Sequence, residues 1–140
     1  MAIIVEKNLA AAILLESMIR SAYADTRSSD VQPLQWSIMR YLAQANGKPC
    51  TLHSIARYVG VTAAPASRAV ETLHKRGLIS KRRDPDNARA VAVTITSPGI
   101  ALLASDPLLP IAVRLQKLPD HTNSEFIRIL RNLALASDES

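Results

Sequence analysis

Apolar and polar positions divide the chain into seven helical stretches and one alternating hairpin, with prolines and small polar residues at the joints. Leu9, Ile13, Leu14, Leu15, Met18, Ile19, Ala22 and Tyr23 predict a first helix over about residues 9–24, and Asn8 stands where it can cap it. A helix apolar around most of its circumference needs several neighbours. In a chain this short, a second copy of the same chain is a candidate for one of them. Residues 25–32 (DTRSSDVQ) read as a polar loop. Pro33 suits the first turn of a second helix and Gly47 its end, with Leu34, Ile38, Tyr41, Leu42 and Ala45 at helical spacing. Trp36 and Tyr41 read as core residues.

The middle of the chain changes rhythm. Thr51 is placed to cap a short helix over about 52–59, Gly60-Val61-Thr62 to make a tight turn, and Thr62 to cap a helix over about 63–76. Pro65 falls within the first turn of that helix, where no intrahelical donor is lost. Ala66, Ala69, Val70 and Leu73 form its inner stripe, and Gly77 stops it. Residues 78–83 then read as a strand. Val91, Val93 and Ile95 alternate with Ala90, Ala92 and Thr94 as its return, and residues 84–88 form the loop. Two short helices around a glycine-containing turn make a helix-turn-helix; the basic hairpin that follows makes it winged.

Ser97-Pro98 opens a helix over about 98–105, Pro107 and Pro110 interrupt it, and residues 110–118 resume it. Thr122 and Glu125 have capping-box spacing before a last helix with Phe126, Ile129, Leu130, Leu133 and Ala134 on one side. The tail SDES is expected to fray. The expected fold class is mainly α with a small β-hairpin. Its parts are residues 1–32 (first helix and loop), 33–99 (the winged lobe) and 100–140 (closing helices), in one continuous domain.

Charge gives this architecture a direction. The formal net charge is +5. Residues 57–89 hold eight Lys/Arg (Arg57, Arg68, Lys75, Arg76, Lys81, Arg82, Arg83, Arg89) against Glu71, Asp84 and Asp86, so they carry all of that excess while the remainder balances. Concentration of positive charge on a winged helix-turn-helix is the electrostatic footprint expected for a double-stranded polyanion. A winged helix used for protein contact has no need of it; a non-specific architectural DNA-binding protein remains a rival reading.

Other classes lose support. Cys50 is the only cysteine, which excludes an intrachain disulfide or a multi-thiolate metal site and fits a reducing cytoplasm. It reads as a small half-buried residue before a helix rather than a redox sensor. His53, His74 and His121 have no ligand spacing, so neither a metal nor any other cofactor is expected. No Ser-His-Asp set or glycine-rich phosphate loop appears, and no catalytic residue is assigned. No apolar run reaches the length of about 20 residues that crosses a bilayer. Glu16 and Arg20 interrupt the first apolar stretch where a signal peptide stays uncharged. The expectation is a cytoplasmic protein without membrane partners.

Several of these stretches are familiar together. Gln35-Trp36, the run IARYVGVTAAPASRAVETLHKRGLISKRRDP and the closing RAVAVTITSPG resemble the MarR family of bacterial winged helix-turn-helix transcriptional regulators. Ser67-Arg68 and LHKRGL fall where that family carries Ser-Arg and Leu-Glu-Lys-x-Gly-Leu. The motifs span about half the chain, and the order of helices nearly all of it. The wing departs from the pattern: Asn87-Ala88-Arg89 lacks an Asp and one Arg of the family's Asp-Arg-x-Arg-like stretch.

The resemblance implies a homodimer joined by its first and last helices, through Leu9, Ile13, Leu14, Met18, Phe126, Ile129, Leu130 and Leu133. It implies pseudo-palindromic operators, and it implies a small ligand, apolar or aromatic, of the kind that often releases such repressors from DNA. On this reading the helix at 63–76 enters the major groove and the wing tip at 84–89 reaches the adjacent minor groove or its phosphates. The DNA-facing set is Thr62, Ala63, Ala64, Ser67, Arg68, Lys75, Arg82, Arg83, Asn87 and Arg89. Of the outward helical residues, which include Glu71, Arg68 alone offers a bidentate contact to guanine, and the alanines offer methyl contacts to thymine. Arg89 is expected to project from the wing tip, and either Arg82 or its two neighbours to face outward from the strand.

Overall fold

The computed structural model describes residues 2–24, 30–84 and 86–136, with the backbone alone at residues 2–5, 88 and 89. The elements run α1 (Ala2–Ala24), α2 (Pro33–Gln44), β1 (Cys50–Thr51), α3 (Leu52–Val59), α4 (Ala63–Lys75), β2 (Ile79–Asp84), β3 (Asn87–Ile95), α5 (Ser97–Leu102), a 3-10 turn (Leu103–Ser105), α6 (Leu109–Gln116) and α7 (Asp120–Leu135). They gather into two compact units, Arg27–Asp106 and Met1–Thr26 with Pro107–Ser140. Most of the predicted loop at 25–32 and the whole SDES tail lie outside the described residues.

The first of these units holds the core. Trp36, Ile38, Met39 and Leu42 of α2 pack with Ile55 and Ala56 of α3, Ala66, Ala69, Val70 and Leu73 of α4, Leu78 just before the sheet, and Ile79 and Val93 within it. Trp36, read as a core residue beside the apolar stripe, is completely buried. Its neighbour Gln35 is also buried, and its side-chain oxygen accepts the Gln32 N–H at 3.1 Å, satisfying a donor at the helix start. Tyr41, expected in the core, is half-buried and stacked on exposed Tyr58, with ring centroids 4.4 Å apart.

The sheet has three antiparallel strands in the order β1-β3-β2. β1 was not anticipated: two residues carry no alternation, and Cys50 and Thr51 become a strand only by pairing with Val93 and Ala92. The hairpin loop is shorter than residues 84–88. Asp84 pairs with Asn87, and the Asp84 carboxylate accepts the Asp86 N–H at 3.0 Å, which turns the chain within two residues. The register slips between Arg83 and Asp84, because Arg83 faces Val91. The wing tip is therefore irregular on the β3 side, as a bulge makes it.

Two anchors close this unit. Thr96 accepts the Gly99 N–H at 3.2 Å and donates to the Gly77 carbonyl at 2.7 Å, pinning the start of α5 to the end of α4. Arg40 of α2 meets Asp106 through two bonds of 2.6 and 2.7 Å, with side chains only 21% and 12% exposed. A bidentate, mostly buried pair is stronger than a surface ion pair. Asp106→Ala is expected to destabilise the chain by about 1.5–3 kcal/mol, read as a shift of the urea midpoint at unchanged slope. A midpoint within error of the parent would show the pair to be inert.

In the other unit, α6 packs against both α1 and α7. Helix α1 begins at Ala2, not after Asn8: nothing in AIIVEK breaks a helix, so Asn8 lies inside it and caps nothing. Helix α7 begins at Asp120, immediately after Pro119, so Thr122 is already within the helix and the capping box does not form. Glu125 instead takes an Arg128 hydrogen bond of 3.1 Å, and Asn123 donates to the Leu115 carbonyl at 2.7 Å, tying α7 to α6.

Candidate nucleic-acid interface

Helices α3 and α4 are held at a fixed angle by their caps and the turn between them. The Thr51 hydroxyl accepts the Ser54 N–H at 3.1 Å. Gly60 sits at φ 74°, a left-handed conformation that suits glycine and lets Val61 and Thr62 redirect the chain. Thr62 occupies the N-cap of α4, but its hydroxyl makes no capping bond. Burial along α4 is one-sided. Ala66, Ala69, Val70 and Leu73 face the core, whereas Thr62, Ala63, Ala64, Ser67, Arg68 and Lys75 are exposed. Ala64, Arg68, Glu71 and Lys75 recur at three- and four-residue intervals, so they line one outer face.

That face meets the wing. Lys81 of β2 donates to Glu71 Oε2 at 2.8 Å, joining α4 and the hairpin directly. The bonded ammonium holds the Glu71 carboxyl below the usual carboxylate range. Arg82 and Arg83, next along β2, are both exposed, in place of the expected alternation. β2 is an edge strand near an irregular tip, so its outer residues reach solvent from either face. Asn87 is exposed opposite Asp84. Arg89 lies on β3 by its backbone, and its side chain is outside the described residues. Arg76, also exposed, donates to the Asp30 carbonyl at 2.7 Å.

The Glu71–Lys81 contact was not foreseen. Opposite charges ten residues apart on a helix and a strand follow no spacing rule, so nothing local could have flagged them. Cys50 is half-buried in β1, and burial raises its thiol pKa, which disfavours the reactive thiolate. Burial likewise raises that of Tyr41 beside it. His53, His74 and His121 lie on α3, α4 and α7, and no group of three or more His, Cys, Asp or Glu side chains gathers among the described residues.

Within the second unit, the residues read as dimerising divide into two sets. Leu9, Ile13, Leu14 and Met18 of α1 are exposed, Leu14 to 65%. On α7, Ile129 and Leu133 are exposed while Phe126 and Leu130 are half-buried. Among the described residues no single helix is long and apolar enough to cross a membrane.

A helix-turn-helix followed by an antiparallel hairpin, with a short third strand closing the sheet, defines a winged helix, and Arg27–Asp106 is one. The sequence model of the MarR family matches residues 29–90, a stretch that falls within this winged lobe. No curated protein matches the chain. Among solved structures, the chain is similar to a probable transcriptional regulator from Pseudomonas aeruginosa, at 25% identity over 88% of this chain and 96% of that one (TM-score 0.69). It is similar to BpsR of Bordetella bronchiseptica, whose DNA binding is regulated by 6-hydroxynicotinic acid, at 19% identity over 93% and 94% (TM-score 0.71). PcaV of Streptomyces coelicolor, a transcriptional regulator solved with its natural ligand, is similar at 20% identity over 93% and 92% (TM-score 0.68). The fold is that of these regulators.

Proposed function

We propose that the protein is a sequence-specific DNA-binding transcriptional regulator, acting as a homodimer on a pseudo-palindromic operator and released by a small apolar or aromatic ligand. One observation carries the reading: Arg68 and Lys75 of α4 and Arg82 and Arg83 of β2 are all exposed, on two elements bridged by Glu71 and Lys81. α4 lies in the major groove, with Arg68 reading a guanine and Ala63 and Ala64 packing on thymine methyls. Thr62 and Ser67 at its start, and Lys75 at its end, hold the phosphates. The wing, with Arg82, Arg83, Asn87 and Arg89, follows the adjacent minor groove. A second copy covers the apolar faces of α1 and α7, through the residues named above; patches of this kind mark interfaces. Ligand response is supported by what BpsR and PcaV do.

The test is selection of bound fragments from the source genome, followed by mobility shifts against a scrambled competitor across a salt series. Enriched sites are expected to carry two half-sites about 10 bp apart, bound by two chains. A dimer engaging about six to ten phosphates loses about 10³–10⁵-fold in affinity between 50 and 200 mM salt. No shift at the lowest salt, or equal competition by scrambled duplex, would overturn the proposal.

A further inference from the structure

The recognition helix carries a single acid, and it stands in the middle of the cationic face. Glu71 lies one turn after Arg68 and one turn before Lys75. An acid there weakens attraction to any polyanion, so selection for affinity alone would not place it. Its side chain is 45% exposed and that of Lys81 30%, so the ion pair between them is open to an approaching ligand.

The position of the pair gives the acid a role. With α4 in one groove and the wing in the next, the phosphate strand that separates the two grooves crosses the gap between helix and hairpin. Glu71 and Lys81 bridge that gap at 2.8 Å. The carboxylate therefore acts twice: it occupies the Lys81 ammonium, and it sets a negative charge beside the phosphates. Neither effect depends on base sequence. Non-specific binding is supplied almost wholly by electrostatics, so it bears the full penalty. Operator binding has base contacts in addition, and it benefits from a helix and wing held at one spacing.

Resting on the DNA-binding reading above, we infer that Glu71 is a specificity-determining residue: its bridge to Lys81 joins α4 to the wing and withholds one cation from the phosphates, suppressing binding to arbitrary duplex more than to operator. The full chain, Glu71→Gln, Lys81→Met and the double variant are compared by fluorescence anisotropy on the selected operator and on a random duplex, from 50 to 200 mM salt. Glu71→Gln is expected to tighten random-duplex binding about three- to tenfold and to steepen its salt slope by about one, as one more phosphate is neutralised. Operator affinity changes less, so the ratio of operator to random affinity falls. In the Lys81→Met background the added slope disappears. Glu71→Gln is expected to melt within about 2 °C of the parent, as befits an exposed ion pair. Unchanged random-duplex affinity and slope in Glu71→Gln would overturn the inference. So would equal weakening on both duplexes with a lowered melting point, which marks a merely structural pair. If the parent chain binds neither duplex at 50 mM, the DNA-binding reading falls first and takes this one with it.

Discussion

Gly99→Ala is expected to be the most destabilising single methyl that can be added to the winged lobe, at about 3 kcal/mol, the upper end of the overpacking range. A Cβ at position 99 would stand 2.2 Å from the Leu78 carbonyl oxygen and 2.7 Å from Ile95 Cγ1. The side-chain atom can yield, but the carbonyl is held. It accepts the Thr96 N–H at 3.1 Å, and the neighbouring Gly77 carbonyl takes the Thr96 hydroxyl at 2.7 Å. Relief requires α5 to lift from the junction of α4 and β2, which breaks the pins that set the start of the wing. Thermal melting is expected to show a fall on the order of 5–10 °C, with DNA binding lost in proportion to the unfolded fraction. Ile100→Ala, one residue on at an exposed position, is the control and is expected to shift stability by less than about 0.5 kcal/mol. A Gly99→Ala variant that melts with the parent would show that α5 has room to move.

The same junction shows what a sequence reading can reach. Ser97-Pro98 marked the start of a helix, yet nothing local revealed that Gly99 touches Leu78, because the contact depends on how α4 and β2 end in space. Periodicity performed well where one face is buried against many partners: the inward stripe of α4 and the buried Ile38 and Leu42 follow from spacing alone. Caps were less legible. Thr51 bonds as expected, but Thr62 does not, and Thr122 lost its place because the stiff Pro119 started α7 three residues earlier. A cap residue names a possible boundary, and the neighbouring backbone decides whether it is used. β1 and the ion pairs of Arg40 with Asp106 and Glu71 with Lys81 exist only through tertiary placement. For the proposed interface, charge clustering marked a segment but not which of its cations remain available. Arg76 is engaged by Asp30 and Lys81 by Glu71, whereas Arg68, Lys75, Arg82 and Arg83 stand exposed.

On the proposed reading, that sorting of the cations separates two kinds of DNA contact, and their loss is expected to look different. Arg68→Ala removes the one outward side chain of α4 suited to a bidentate base contact. It is expected to cost about 1–3 kcal/mol on the preferred operator and little on an operator changed at the matching G·C pair. The Arg82→Ala/Arg83→Ala double variant removes charge from the wing without removing a base reader. It is expected to weaken all duplexes alike, and to lower the slope of log K against log salt by about two, since each lost phosphate contact takes away nearly one released counterion. At 50 mM salt this is a loss on the order of 10–100-fold, shrinking as salt rises and screening removes the same attraction from the parent. Neither variant disturbs the core, because all three side chains are exposed, so both should melt with the parent. The discriminating measurement is a matrix of these two variants and the parent against matched and mismatched operators at several salt concentrations. If Arg68→Ala lowers every affinity equally, or the wing variant changes sequence preference while keeping the parent's salt slope, then the assignment of helix to base reading and wing to phosphate binding is reversed.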